Sequence, residues 1–243
     1  IIQEIACQHE ERWWENACSR IRHALRRAEQ DVNPFKTEII GKDGAPMVLV
    51  PEGEFLYGDD KQRMTLLAFY IDQYPVTVSR YAAFLQATGH TNPDDWTQQV
   101  ALVGGGDRPV VNVTWHDADA YCRHYGKRLP TEQGWEKAAR GTDGRVYPWG
   151  DEFDKEKCNS DESGIGGTTP VTKYVNGLSP YGIYDMAGNV WEWTSSDYDR
   201  SNKVIRGGSW YDDANGLGTT YRIGRLPTSR YGNRGFRCVQ DVS

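Results

Sequence analysis

No stretch of this chain approaches the roughly 18 consecutive apolar residues of a membrane-spanning helix, so no membrane span is expected. The five cysteines include no Cys-x-x-Cys pair, which argues against a structural zinc site. Internal repeats and low-complexity tracts are absent too, and with them solenoids and collagen-like fibres. Positive charge is in deficit: 28 Lys and Arg stand against 34 Asp and Glu, a formal net charge of −6, and bulk affinity for nucleic acid is not expected. Residues 1–30 carry too much charge for a signal peptide, and we expect a cytoplasmic location. The chain opens on Ile1 rather than Met, which we read as a piece of a longer protein with a further domain upstream.

What is present is aromatic mass. Among 243 residues there are 9 Trp and 14 Tyr, enough large side chains to close a core although only 38% of the chain is hydrophobic. Trp13, Ala17, Ile21, Ala24, Leu25 and Ala28 recur at helical spacing and predict an N-terminal helix over residues 3–29, ended by Asn33-Pro34. Residues 1–35 are read as that extension and 36–243 as one domain. In the domain, Met47–Pro51 and Leu66–Ile71 read as strands, with Gly53, Gly58 and Asp59-Asp60 as turns. Helices are predicted from Thr77 or Ser79 to about Thr88, over Asp117–Tyr125 with Thr114 or Asp117 as cap, and over Thr131–Arg140. After Gly141 the composition turns to Gly, Asn, Asp, Ser and Trp, and nothing regular longer than a few residues is expected. The fold class is α+β with two to three helices, short strands and much ordered loop.

Five segments carry a resemblance. They are Met47-Val-Leu-Val-Pro-Glu-Gly-Glu-Phe55, Pro109-Val-Val-Asn-Val-Thr-Trp115 and Tyr121-Cys-Arg-His-Tyr-Gly-Lys-Arg-Leu-Pro-Thr-Glu132, then Gly182-Ile-Tyr-Asp-Met-Ala-Gly-Asn-Val-Trp-Glu-Trp-Thr194, and Arg206-Gly-Gly-Ser-Trp210 with Gly235-Phe-Arg-Cys238. Together they resemble the formylglycine-generating enzyme (sulfatase-modifying factor) superfamily, a branch of the C-type-lectin-like fold. The match covers about residues 36–240. It is specific for fold and superfamily and says little about activity, because this fold hosts both enzymes and binding proteins.

The resemblance implies a structural calcium ion held by Asp185, the carbonyls of Gly188 and Val190, and Glu192, a donor set suited to a hard cation. The alternative is that Asp185 and Glu192 only bond nearby amides. A second calcium site would start at Asn159 and Ser160. Cys122 and Cys238 stand where some relatives form a disulfide, and the same pair could be two buried thiols in a reducing compartment. Cys7, Cys18 and Cys158 are given no partner.

The oxidases of the superfamily bind copper with two cysteine thiolates just after the Gly-Gly-Ser-aromatic motif, and Cu(I) selects such soft ligands. Here that interval, Tyr211 to Arg222, contains no Cys and holds Asp212, Asp213 and Asn215 instead. The related sulfoxide synthases use a His-x-x-x-His-x-Glu iron site. His9, His23, His90, His116 and His124 never fall at that spacing. Neither copper nor iron is expected, and a non-enzyme is the favoured reading. The alternative is a formylglycine-generating-enzyme-like oxidoreductase or another divergent enzyme of the superfamily.

Residues 211–234 contain no Lys, Glu, Gln, Met or Trp. Those types cannot be reached from an AAC or AAT codon by changing its adenines, whereas the Tyr, Asp, Gly, Ser, Ile, Leu and Arg found here can. In this the segment resembles the variable region of a diversity-generating retroelement protein, about residues 205–238, framed by Gly-Gly-Ser-Trp and Gly-Phe-Arg. The resemblance implies a bacterial or phage-derived binding protein whose selected ligand is expected to be a protein. The ligand-facing set is then Tyr211, Asp212, Asp213, Asn215, Gly216, Ile223, Gly224, Arg225, Leu226, Ser229, Tyr231, Gly232 and Asn233, with Tyr211, Tyr231 and Arg225 as hot spots. Arg206, Arg222, Arg230 and Arg237 are expected to brace loops. A fixed Gly/Asp/Arg-rich lectin-like loop is the alternative history for the segment.

Overall fold

Among the described residues three threonines start the three longer helices. Thr77, Thr114 and Thr131 each hold extended backbone and accept a first-turn amide on the hydroxyl, from Arg80, Asp117 and Gly134. The computed structural model describes residues 35–102 and 104–242, so the helix expected over 3–29 lies outside the described residues. The helices are α1 (Val78–Thr88), α2 (Trp96–Ala101), α3 (Trp115–His124) and α4 (Glu132–Arg140). At α3 the two candidate caps work together: the Asp117 carboxylate accepts in turn from the Thr114 amide at 2.9 Å, closing a capping box. Helix α2 was not anticipated, because six residues are too few to show a helical period. Its buried Gln99 donates to the Val111 carbonyl and accepts from the Val111 amide, both at 3.1 Å, as a strand neighbour would.

Among the described residues ten strands form three sheets. The first is antiparallel, in the order β1 (Glu38–Ile40), β2 (Pro46–Val50), β5 (Phe69–Asp72) and β10 (Val239–Asp241). The second is the hairpin of β3 (Gly53–Tyr57) and β4 (Gln62–Leu66), turning through Gly58–Lys61. The third has the order β8 (Arg222–Arg225), β7 (Lys203–Arg206), β6 (Trp191–Asp197) and β9 (Arg234–Gly235), with only the β6–β9 pair parallel.

Two expectations need correction. The run Leu66–Ile71 is not one strand: Leu66 pairs with Gly53 in the hairpin, Phe69 pairs with Val50 in the first sheet, and the chain crosses between them at the 81% exposed Leu67. The half after Gly141 also contains a seven-residue strand, β6. Its first four residues, Trp191 to Thr194, are all buried, so its polar members face protein rather than water and hide the usual inward-outward alternation.

The core sits where α1 and α3 meet the third sheet. Tyr81, Phe84, Tyr121, Trp193 and Phe236 are sealed there, and Tyr81 lies parallel to Tyr121 at 5.8 Å. Cys122 of α3 is bonded to Cys238 beside β10, their Cα atoms 5.9 Å apart. A second core packs Trp135 and Ala138 of α4 on Val48, Val50 and Ile71. Among the described residues no helix is long and apolar enough to cross a membrane.

Candidate functional site

The third sheet carries the segment singled out by composition, and four arginines fasten that segment down. Arg206, fully buried, pairs with Glu136 of α4 and donates to the carbonyls of Thr219 and Tyr221, both at 3.2 Å. Arg222 grips Glu132 through two bonds of 2.7 and 3.0 Å. Arg230 meets Asp117 at 3.0 Å and the Asn112 carbonyl at 3.0 Å. Arg237 holds Glu192 through two bonds of 2.7 Å and also caps the Tyr184 carbonyl at 2.8 Å. Each guanidinium has several donors in a fixed fork, so one side chain can pin an irregular backbone at several points.

On this frame lies an open cleft of about 700 Å³. Of the expected ligand-facing residues, Tyr211, Asp212, Ile223, Gly224, Arg225, Leu226, Ser229, Tyr231 and Asn233 line it. Tyr211 is 70% exposed, Leu226 55% and Tyr231 57%, which leaves apolar surface gathered at one place. Asp213, Asn215, Gly216 and Gly232 lie outside the cleft. Asp213 caps the short turn Ala214–Leu217 by accepting from the amides of Asn215 and Gly216, at 3.0 and 3.3 Å. Asn215 bonds back to Asp213, and Gly216 is buried against Asp212.

Some cleft residues are structural. Asp212 accepts from the Trp191 indole at 2.9 Å and from the Ser209 hydroxyl. Asn233 donates to Ser209 at 3.1 Å. Gly224 has to lack a side chain where it stands, because a Cβ there would come within 2.5 Å of the Tyr198 ring.

Trp191, Asn202, Ile205 and Arg234 also line the cleft and were not anticipated. Three of them come from β6, β7 and the loop before β7, and only the sheet pairing brings them under the segment. Arg234 is 4% exposed, and its guanidinium lies against the rings of Tyr231 at 4.5 Å and Trp193 at 5.3 Å. Its one polar side-chain contact is a 2.7 Å bond to Ser229 Oγ, and its Nε is buried without an acceptor. Burial, then the charge of Arg225, pulls its pKa down to about 10.

The residues expected to hold calcium behave differently from one another. Both oxygens of Glu192 are engaged, by Arg237 and by the Trp135 indole at 2.7 Å, in a fully buried pocket. Asp185 takes one bond, from Asn189 at 2.8 Å, and its Oδ1 is buried with no partner. Burial pushes the Asp185 pKa up to about 7 against the opposing pull of Asn189 and Arg237. Gly188, at φ 78°, admits no side chain: a Cβ would lie 2.3 Å from the Asn159 carbonyl oxygen. Asn159 spends its amide on the Gly167 carbonyl and on Asn189, at 2.9 and 3.2 Å, and Ser160 is buried beside it. A calcium ion shared by Asp185 and Glu192 therefore does not fit this donor set, because Arg237 already supplies the cation at Glu192. Asp185 with neighbouring carbonyls is what remains for one. Among the described residues no group of three or more His, Cys, Asp or Glu could hold a metal.

Comparison with known proteins agrees with this architecture. Residues 35–242 match the family model described as the sulfatase-modifying factor enzyme 1-like domain. The chain is 34% identical to the Bos taurus "Inactive C-alpha-formylglycine-generating enzyme 2" over 79% of its length and 87% of the relative's. It is 33% identical to the Streptomyces coelicolor "Formylglycine-generating enzyme" over 80% of its length and 89% of the relative's. Among solved structures, "Treponema denticola variable protein 1" superposes with a TM-score of 0.67 at 23% identity, over 85% of this chain and 98% of that one, a likeness of fold.

Proposed function

The chain belongs to the sulfatase-modifying factor enzyme 1-like family, and from that premise we propose that it is a non-catalytic binding protein whose C-terminal segment, about residues 205–238, presents a variable ligand surface of the diversity-generating retroelement type. The observation that carries this reading is the cleft. Nine of the thirteen residues assigned to the ligand from composition line one concavity, with Tyr211, Arg225, Leu226 and Tyr231 exposed on it. Rigid aromatics among small polar residues are the chemistry of antibody loops, which gain contact area at low entropic cost.

Kinship alone does not choose between binding and catalysis, since one relative is named inactive and another is named as an enzyme. The donor set favours binding. The copper chemistry of the family's oxidases needs two soft thiolates, and residues 211–222 supply carboxylates, an amide and hydroxyls.

Sequencing the DNA around the gene tests the proposal. A reverse-transcriptase gene is expected nearby, with a near-copy of codons 205–238 that differs only where the copy has adenine. A locus with neither would leave a fixed domain and overturn the reading.

A further inference from the structure

Resting on that reading of the surface, we propose that the cleft recognises a carboxylate, an Asp or Glu side chain carried by an acidic segment of a protein partner and received between Arg225 and Arg234. The charge arrangement leads to this. The other arginines of the segment have an acid: Arg222 has Glu132 and Arg230 has Asp117. Arg225 and Arg234 have none among the described residues. Arg225 donates only to the Gly224 carbonyl, at 3.0 Å, and Arg234 only to Ser229. Asp212, the acid that lines the same cleft, is turned to Trp191 and Ser209 instead.

Arg234 is the more telling of the two. A guanidinium 4% exposed, with its Nε buried and unsatisfied, is costly to keep without an anion. With its face against Tyr231 and Trp193 and Nη1 bonded to Ser229, Nη2 is the terminal nitrogen with no bond of its own among the described residues, a charge-assisted donor for one carboxylate oxygen. Exposed Arg225 adds a second positive charge at the rim, while Tyr211 and Leu226 offer apolar contact to the rest of a peptide. With a net charge of −6 the whole chain repels a polyanion, so a local acidic group suits it better than nucleic acid.

A random peptide library displayed on phage, panned against the full chain, tests this. Recovered peptides are expected to be rich in Asp and Glu, to bind less tightly as salt rises, and to lose at least about tenfold in affinity toward R225E, the loss of one charge-assisted bond. Arg225 is exposed, so R225E keeps the test clear of folding; R234Q is read alongside it if it folds. Acid-poor peptides that are lost on Y211A/L226A but indifferent to R225E would overturn the carboxylate and leave the binding surface standing. Peptides that ignore both sets of variants, or no peptides at all, would sink both. Inorganic phosphate displacing the peptides at lower concentration than acetate does would move the site to a phosphoryl group and overturn it as well.

Discussion

The Trp191 indole donates to Asp212 Oδ2 at 2.9 Å, tying the first residues of the 211–234 segment to the buried start of β6. Asp212 stands among the residues that composition assigned to the ligand, yet its carboxylate holds the cleft wall. Replacing it with Ala leaves the indole N–H of buried Trp191 and the Ser209 hydroxyl without their acceptor, at a cost of about 1–3 kcal/mol. Urea denaturation of Asp212→Ala should show a lower midpoint at unchanged m value. An unaltered midpoint would return Asp212 to the ligand set.

The opposite outcome is expected at the rim. Tyr211 is 70% exposed, Tyr231 is 57% exposed, and among the described residues the Arg225 side chain bonds only the Gly224 carbonyl. Surface changes of this kind stay within about 0.5 kcal/mol each, and Tyr231 adds at most the roughly 1 kcal/mol of its contact with Arg234. The triple variant Tyr211→Ala, Tyr231→Ala, Arg225→Ala should therefore melt within a few degrees of the parent while losing every peptide the cleft selects. A large fall in melting temperature would identify these as framework residues.

The contrast between Asp212 and Tyr211 marks how far the sequence could be read. Caps and periodicity located α1, α3 and α4 because Thr77, Thr114 and Thr131 act locally, through amides three residues away. The codon argument located the segment that forms most of the cleft. It could not separate struts from contacts, because composition does not record what each side chain meets in space. Arg234 was missed for a related reason: its significance is the absence of an acid, and that is settled by what β6 and β9 bring beside it. For Glu192, made a calcium ligand by the resemblance, the sequence does not show the partner that the fold supplies, Arg237, 45 residues away.

Cys122 and Cys238 are separated by 116 residues and both are sealed in the core. In the chain-entropy model a link closing a loop of that size contributes about 4–5 kcal/mol, nearly all of it through the unfolded chain. Unfolding in urea with and without reductant should differ by that amount, and Cys122→Ser/Cys238→Ser should match the reduced protein. Equal midpoints would mean that the two cysteines are thiols in the protein as purified.

The Glu192–Arg237 pair sets the expectation for calcium. With both Glu192 oxygens engaged, chelation by EDTA should leave the melting temperature within about a degree of its starting value, since a ligand that does not bind the native state cannot shift it. A calcium-dependent rise that Asp185→Asn abolishes would place a cation at the orphaned Asp185 Oδ1 after all.

The buried ion cluster around Lys127 predicts how the fold responds to acid. Lys127 Nζ lies 2.6 Å from Asp43 and 2.8 Å from Asp72 with no exposure, and the Tyr121 hydroxyl donates to Asp43 at 2.9 Å. Burial alone would raise the Asp43 pKa. The charge and hydrogen bond of Lys127, with Arg80 and Tyr121, outweigh it and hold the group below its ordinary 3.8. A carboxyl whose folded pKa is depressed binds fewer protons folded than unfolded. Its contribution is therefore complete above the unfolded value and is lost as pH falls through the folded one. Asp43→Asn removes that contribution at every pH. It should cost about 3 kcal/mol or less at neutral pH, because Asp72 still pairs with Lys127. The gap between parent and variant should then narrow below about pH 4. Melting curves of both proteins from neutral pH downward measure that gap, and a gap that stays constant into acid would show that Asp43 is already protonated in the folded protein.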